Sequence, residues 1–302
     1  MENLFFTIEE EYENIRIDRF LAEAVDSFSR SYLQKLIDSQ NVLVNSKPIK
    51  SSYKLKINDD VSISLPDSVI PDIIPENIPL DILYEDDDVI VVNKPKNMVV
   101  HPSAGHYEHT LVNALMFHCK DNLSGINGIL RPGIVHRIDK DTTGSVIACK
   151  NDFAHQNIAQ QLKEHSITRK YHAIVCGVIK EDEGTISTLI GRNPNDRLKM
   201  AVVNHGGKDA VTHFKVLKRF DKYTYVECSL ETGRTHQIRV HMSHINHPLL
   251  GDEIYGCPKT SFKLEGQCLH AKILEFKHPR DGRVVSTDAP LPEYFLHLLD
   301  IL

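Results

Sequence analysis

The chain has 302 residues, 41% of them hydrophobic and 25% charged, and a formal net charge of -6. That length exceeds the usual needs of one core, so two domains are expected, and the composition is that of a soluble globular protein. No apolar run approaches the roughly 20 residues of a membrane helix, and the start at Met1 to Phe6 has neither the basic region nor the apolar stretch of a secretion signal.

The cysteines at 119, 149, 176, 228, 257 and 268 form no Cys-x-x-Cys pair. That spread predicts reduced thiols in a cytoplasmic protein, not a disulfide frame or a zinc site. An acidic total argues against an RNA partner only if the charge is evenly spread, and it is not. Residues 1–14 carry five acids and no base, which reads as a tail. Residues 15–56 carry eight Lys and Arg against four acids, residues 57–88 carry ten acids and no Lys or Arg, and the remainder is net basic. Two acidic segments mask two mildly basic ones.

In chain order, Ile17, Phe20, Leu21, Ala24 and Val25 recur at helical spacing and predict one apolar face. Ser29 or Ser31 caps a second helix through Leu33, Leu36 and Ile37. Val42 to Asn45 reads as a short strand, Ser46 to Pro48 as a turn, and Val61 to Leu65 alternates as a second strand. This is a small helix-helix-strand unit over residues 15–65. Pro66, Pro71, Pro75 and Pro79 punctuate an acidic stretch, so residues 66–80 read as a linker. A larger unit over 81–302 follows.

In that unit Val89 to Asn93 is a buried-type strand stopped at Lys94-Pro95. Thr110 to His118 predicts a helix, Val146 to Cys149 a strand, and Asp152 to His165 a helix capped by Asp152. Lys170 to Val178 and Phe214 to Leu230 are strand-rich. Strands and helices mix without regular alternation, which predicts an α+β fold with a mixed, mainly antiparallel sheet and flanking helices.

The chemistry concentrates in Arg131 to Gly144, RPGIVHRIDKDTTG, a segment dense in acids, bases and hydroxyls and short of bulky apolar groups. Loops of that kind on a rigid scaffold commonly carry sites. Asp139 and Asp141 flank Lys140. They face the same way if the chain is extended and diverge if it turns. Arg137 beside Asp139 suits a carboxylate that must stay ionised and oriented, as a nucleophile requires. A salt-bridged turn is the bland alternative.

This segment resembles the His-Arg-Leu-Asp motif of the RluA-type pseudouridine synthases, with Ile138 in place of Leu, Thr143 where Ser is common, and Ser145 where an apolar residue is usual. The resemblance implies that Asp139 is the catalytic aspartate. It also implies that Arg137 and its neighbour His136 face RNA, with Arg137 holding the position the target base leaves. Lys170 to Gly177 is similar to the family's second motif. Tyr171 there would stack on the target uracil and is a candidate base for the C5 proton. Glu231 to His241 is similar to the third motif, which implies an arginine paired with the catalytic carboxylate: Arg239, with Arg234 as the alternative. Gly251-Asp252, Tyr255-Gly256 and Leu269-His270-Ala271 continue the likeness, and Leu269 is expected near Tyr171. The N-terminal unit resembles the αL RNA-binding domain of a ribosomal small-subunit protein and some tyrosyl-tRNA synthetases. By that likeness Arg30, Lys35 and Lys47 are candidates for phosphate contacts. Gly133 to Gly144 and Met200 to His213 look most like the RluD branch, which implies a large-subunit (23S) ribosomal RNA or an assembly intermediate as partner, and a part in ribosome biogenesis.

The implied reaction moves uracil from an N1 to a C5 link on the same ribose. It needs no cofactor, and the sequence has no phosphate-binding loop, dinucleotide fingerprint or zinc-spaced cysteines. A metal hydrolase built on His236, His241, His244 and His247 is disfavoured, because the last three, at steps of three, do not share one narrow helical face and no Glu stands at a His-Glu-x-x-His position. A non-catalytic RNA-binding factor would not need Asp139, Tyr171 and Arg239 together. An RNA N-glycosidase would use similar carboxylate chemistry but release free base. A cytoplasmic monomer with no membrane partner and no metal is expected.

Overall fold

The computed structural model describes residues 2–25, 30–65, 73–103, 106–120, 122–128, 130–196, 199–256 and 262–302. The chain forms two compact units, Met1–Ile70 and Pro71–Leu302.

In the first unit, α1 (Ile17–Ala24) buries Ile17, Phe20 and Leu21, and α2 (Arg30–Asp38) buries Leu33, Leu36 and Ile37. The helical spacing visible in the sequence is the spacing of this core. Strands β1 (Glu2–Thr7), β2 (Val42–Val44), β3 (Lys47–Pro48) and β4 (Asp60–Leu65) form a sheet in the order β1-β4-β2-β3. Strand β1 corrects the expectation of a tail over residues 1–14. Leu4 pairs with Ile63 and Phe6 with Val61, and both pack on the core while Phe5 faces out. The acids that suggested a tail mostly follow the strand, at residues 9–13. Asn45 and Ser46, at φ 50° and 62°, supply the left-handed pair that a two-residue hairpin requires. Asp59 is buried beneath that turn and accepts hydrogen bonds from Asn45 (2.8 Å), Tyr53 (3.0 Å) and the Lys56 N–H (2.9 Å). Burial pushes its pKa up, but these bonds outweigh it and hold the carboxyl below its ordinary value. Whether Ser29 or Ser31 caps α2 lies outside the described residues.

Of the expected linker, residues 66–72 lie outside the described residues. Ile73 is buried in the core of the second unit, and Ile78 and Leu80 pack against it. The second unit then runs β5 (Ile82–Glu85), β6 (Val89–Lys94), α3 (Leu111–Cys119), β7 (Thr143–Cys149), α4 (Asp152–Lys163), β8 (Thr168–Cys176), β9 (Glu183–Arg192), β10 (Met200–Val202), β11 (Lys208–Arg219), β12 (Tyr223–Leu230), α5 (Gln237–His244), β13 (Leu269–Lys277), β14 (Val284–Asp288) and α6 (Glu293–Ile301). Among the described residues the strands form one sheet in the order β10-β9-β11-β12-β8-β13-β7-β6-β5, with β14 also paired to β13. The pair β7–β13 is parallel and the others are antiparallel, so the fold is the α+β type the sequence predicts.

The middle strands are covered on both faces, which explains their unbroken apolar runs. Ile90, Val92, Val146 and Ala148 join Leu111, Val112 and Leu115 of α3 in one core. Val89, Val91, Ile147 and Cys149 join Ala154 and Ile158 of α4 in another. Helix α3 starts at a Thr110–Asn113 capping box. Helix α4 is capped by Asn151 and not by Asp152 as expected, because the Asn151 side chain accepts the Ala154 N–H at 2.9 Å. The Asp152 carboxylate instead accepts from Ser124 Oγ at 2.6 Å. The five described cysteines are buried, and none forms a disulfide.

Candidate active site

The motif segment leaves a tight turn and enters β7 near the sheet centre. Gly133, at φ +72°, sits where an added Cβ would lie 2.7 Å from the Cys149 carbonyl oxygen. Gly144, at φ +106°, has the Ala271 carbonyl oxygen 2.3 Å from the same hypothetical atom. Both glycines are therefore fixed by close backbone approach, and Gly144 permits the parallel contact with β13. Between them His136 accepts the Ile147 N–H at its Nε2, 3.1 Å away, which ties the loop to β7. Burial, then the charge of Arg169, pulls the pKa of His136 down to about 3, so its ring stays neutral. Ile138 is buried in the core while Arg137 and Lys140 are exposed. That alternation turns Asp139 away from the core. The Thr142 N–H closes a turn on the Asp139 carbonyl at 3.1 Å, so the two carboxylates diverge, and Asp141 packs against Gly266.

The Asp139 carboxylate accepts Arg239 Nη1 at 2.9 Å and has His236 Nε2 at 3.7 Å. Arg239 comes from the buried face of α5. Its other edge donates from Nε and Nη2 to both oxygens of Asp252, at 2.7 and 2.9 Å. Tyr255 lies under the guanidinium with its ring centre 4.9 Å away, and its hydroxyl bonds His236 Nδ1 at 2.8 Å. The side chains of Arg239 and Asp252 are 5% and 1% exposed, whereas Asp139 keeps 18%. Asp252 thus anchors Arg239, and Arg239 presents a fixed cation to the more accessible carboxylate. Burial pulls the Arg239 pKa down, but its bonds to Asp252 and the charge of Asp139 reverse this and hold it above its ordinary value. Arg234, the alternative partner, donates from Nε to the Asp209 carbonyl at 2.8 Å.

A cavity of about 490 Å³ opens beside Asp139, lined by Arg137, Tyr171, Ile238, Arg239 and Leu269 among others. His136 and Arg234 also reach its wall. Tyr171 and Leu269 lie on adjacent strands, where Tyr171 pairs with Ala271 and Leu269 with Ala173. That register makes the two side chains diagonal neighbours on one face. Tyr171 is 7% exposed, and burial raises its pKa, so its hydroxyl remains protonated at neutral pH. In the first unit Lys35 and Lys47 are exposed, while the Arg30 side chain lies outside the described residues.

Two contributors were not singled out in the sequence. Asp252 was noted only as part of a Gly-Asp pair. Lys94 read as the end of a strand, yet it is fully buried. Its Nζ donates to the carbonyls of Pro95 (2.8 Å), Met98 (2.8 Å) and Lys140 (2.9 Å), the last being the residue after Asp139. Burial takes its pKa down to about 7 against the upward pull of Asp141 and Asp139. A lysine closing a strand that opens with four apolar residues, next to a proline, was the available signal.

The four histidines weighed as metal ligands do not converge. His241 is buried between Thr188 and Thr212 hydroxyls at 3.0 and 2.9 Å, His247 bonds the Cys176 carbonyl, His236 faces Asp139, and His244 is exposed. Among the described residues the cluster with metal-ligand spacing is Asp86, Asp88 and His278. There Arg280 already holds both oxygens of Asp88, at 2.8 and 2.6 Å.

An arginine-paired carboxylate at the wall of a cavity of about 490 Å³ is an arrangement for acid–base or nucleophilic chemistry on a bound group. Residues 88–244 match the RNA pseudouridylate synthase family, and residues 15–61 match the S4 domain. The uncharacterized RNA pseudouridine synthase YlyB of Bacillus subtilis is 51% identical over 302 residues, covering 100% of this chain and 99% of that one. Ribosomal large subunit pseudouridine synthase D of Neisseria meningitidis (serogroup A) is 46% identical, covering 95% of this chain and 78% of that one. Among solved structures, human RNA pseudouridylate synthase domain containing 1 is similar at 28% identity and a TM-score of 0.58, covering 70% of this chain and 83% of that one. The chain belongs to the RNA pseudouridylate synthase family and carries an S4 domain. Its activity is the isomerisation of uridine to pseudouridine in RNA, as the sequence predicts.

Proposed function

We propose that the protein modifies uridines of large-subunit (23S) ribosomal RNA, free or in an assembly intermediate, as a cofactor-independent cytoplasmic monomer contributing to ribosome biogenesis. The RNA class rests on the names of relatives such as the Neisseria enzyme and on the likeness to the RluD branch. The observation that carries the chemistry is the Arg239–Asp139 pair at the wall of the cavity.

A stacked uridine must first leave its helix, which costs a few kcal/mol. Arg137, exposed at the cavity rim, takes the vacated place, since a planar guanidinium stacks and donates there. Tyr171 receives the base by its π-face, a contact of roughly 1–3 kcal/mol, with Leu269 beside it. Because its hydroxyl stays protonated, stacking is favoured over service as the C5 base. Asp139 then adds to C1′ or takes the C2′ proton, and the Arg239 guanidinium keeps it ionised and aimed. Arg30, Lys35 and Lys47 of the S4 unit supply phosphate contacts. The test incubates wild type and Asp139→Asn with unmodified large-subunit RNA and maps pseudouridine by carbodiimide labelling. Wild-type-only modification with RNA binding retained in both supports the reading. Modification by both variants removes Asp139 from its role, and modification by neither removes this substrate.

A further inference from the structure

We propose that Arg169 contacts the target uracil and carries the negative charge the base acquires when its glycosidic bond breaks. This rests on the assignment of the cavity to the target uridine.

Arg169 lies on β8 two residues before Tyr171, so the two share a face of the strand, and both line the cavity. It is 8% exposed. Its Nη2 donates to the Glu231 carbonyl at 2.9 Å, but its Nε has no hydrogen-bond partner. No carboxylate among the described residues pairs with it, and Asp139 is held by Arg239. Gly233 makes room for the group, because a Cβ there would meet Arg169 Nη1 at 2.7 Å. A buried guanidinium without an anion is costly, so the compensating charge has to arrive with the ligand.

Uracil fits that requirement. A guanidinium only donates, and uracil offers the O2 and O4 acceptors. Cytosine would place an amino donor where O4 stands, setting donor against donor. The charge follows from the reaction. As C1′–N1 breaks, its electron pair leaves with the base and spreads over N1, O2 and O4. At the ribose, either an Asp139 oxygen bonds C1′, or Asp139 takes the C2′ proton and C1′=C2′ forms. After the base turns, its electron pair forms C1′–C5 as the C1′–O bond to Asp139 breaks or, on the second route, as C1′=C2′ is consumed and Asp139 returns the proton to C2′. The C5 proton then leaves, and N1 takes up a proton. Nothing is oxidised. A fixed cation beside the departing base stabilises the step most where charge develops.

The experiment follows single-turnover loss of the parent nucleoside, by chromatography after nuclease digestion, in large-subunit RNA transcribed with uridine or 5-fluorouridine. Arg169→Met is expected to keep RNA affinity within about threefold and to slow the uridine reaction about 100-fold. With 5-fluorouridine, whose base leaves as a more stable anion, the loss shrinks to about tenfold or less, and Arg169→Lys falls between wild type and Met. Equal fractional losses on both RNAs would mean that Arg169 only braces the loop at Glu231, and a Met variant as fast as wild type would also overturn the proposal. If the Met variant does not fold, Gly233→Ala displaces the guanidinium without removing it. The same leaving-group pattern is then expected, and an unchanged rate overturns the proposal. Inactive wild type would refute the assigned substrate and Arg169 with it, whereas active wild type with active Arg169→Met refutes Arg169 alone.

Discussion

Lys94→Met separates two effects that the buried lysine combines. Its pKa falls from 10.5 to about 7, and at about 1.4 kcal/mol per unit the folded state disfavours the charged form by about 5 kcal/mol. Methionine of similar length removes that burden but leaves the Pro95, Met98 and Lys140 carbonyls without this donor, at about 1–3 kcal/mol for the buried Met98 acceptor and less for the two part-buried ones that water can reach. Near pH 7 the two nearly cancel, so a net change within about 2 kcal/mol is expected. The pH dependence is distinctive. The folded pKa lies below the unfolded one, so between pH 7 and 10.5 the unfolded chain binds more protons and wild type gains stability as pH rises. Urea unfolding at stepped pH should show wild type gaining about 4–5 kcal/mol on the Met variant across that window. Parallel profiles would refute the reasoning and mean that three carbonyls keep the ammonium charged. Because Lys94 holds the residue after Asp139, the variant's single-turnover rate should fall about 10–100-fold with RNA affinity unchanged.

Asp252→Ala should destabilise the second unit by about 3 kcal/mol and reduce turnover at least about tenfold, since Arg239 loses its buried anchor; urea unfolding and single-turnover kinetics check both. Tyr171→Phe should stay within about tenfold of wild type in rate if stacking is the role, whereas a C5 base would be lost entirely; Tyr171→Leu should be slow in either case. Asp86 has its pKa held down at about 2: burial raises it, but bonds from Tyr84, from the Val89 and Asp88 N–H groups, and from His278 prevail. A lowered carboxylate stabilises above its unfolded pKa, so Asp86→Asn should cost about 2 kcal/mol at pH 7. That difference should fade as pH drops from 3.8 to about 2, measured by thermal unfolding.

The site was legible where function compresses many chemical groups into one contiguous stretch. Arg131 to Gly144 needs its two glycines for backbone approach and its polar residues for the site, so the stretch stands out against any core strand. For the partner of Asp139, the resemblance implies Arg239, with Arg234 as the alternative. The choice depends on burial, because the first six residues of α5 are all buried while Arg234 lies before the helix and donates to the Asp209 carbonyl, and no spacing in the sequence reveals that a short helix is covered all round. Lys94 and Arg169 were missed for a related reason. A buried cation is identified by what surrounds it in space, while in sequence each looks like an ordinary strand-end charge. Strand β1 was missed because five acids in fourteen residues outweighed the short apolar run of Leu4, Phe5 and Phe6, and the cap of α4 was misplaced by one residue between two equally suitable side chains.

The parallel contact of β7 with β13 has a consequence for synthesis. Thr143 and Gly144 register against His270 and Ala271, and Asp139 meets its arginine 100 residues downstream. A nascent chain that has displayed the whole Arg131 to Gly144 loop therefore still lacks the arginine partner of Asp139. The pair can form once α5 has emerged, and the sheet closes later, when β13 slots between β7 and β8, by which time the S4 unit has long been free to fold. A chain truncated before Leu269 keeps Arg239 and Asp252 but lacks the strand that joins β7 to β8 and the Leu269 wall of the cavity. The order of emergence thus lets an RNA-binding module mature before the chemistry it serves.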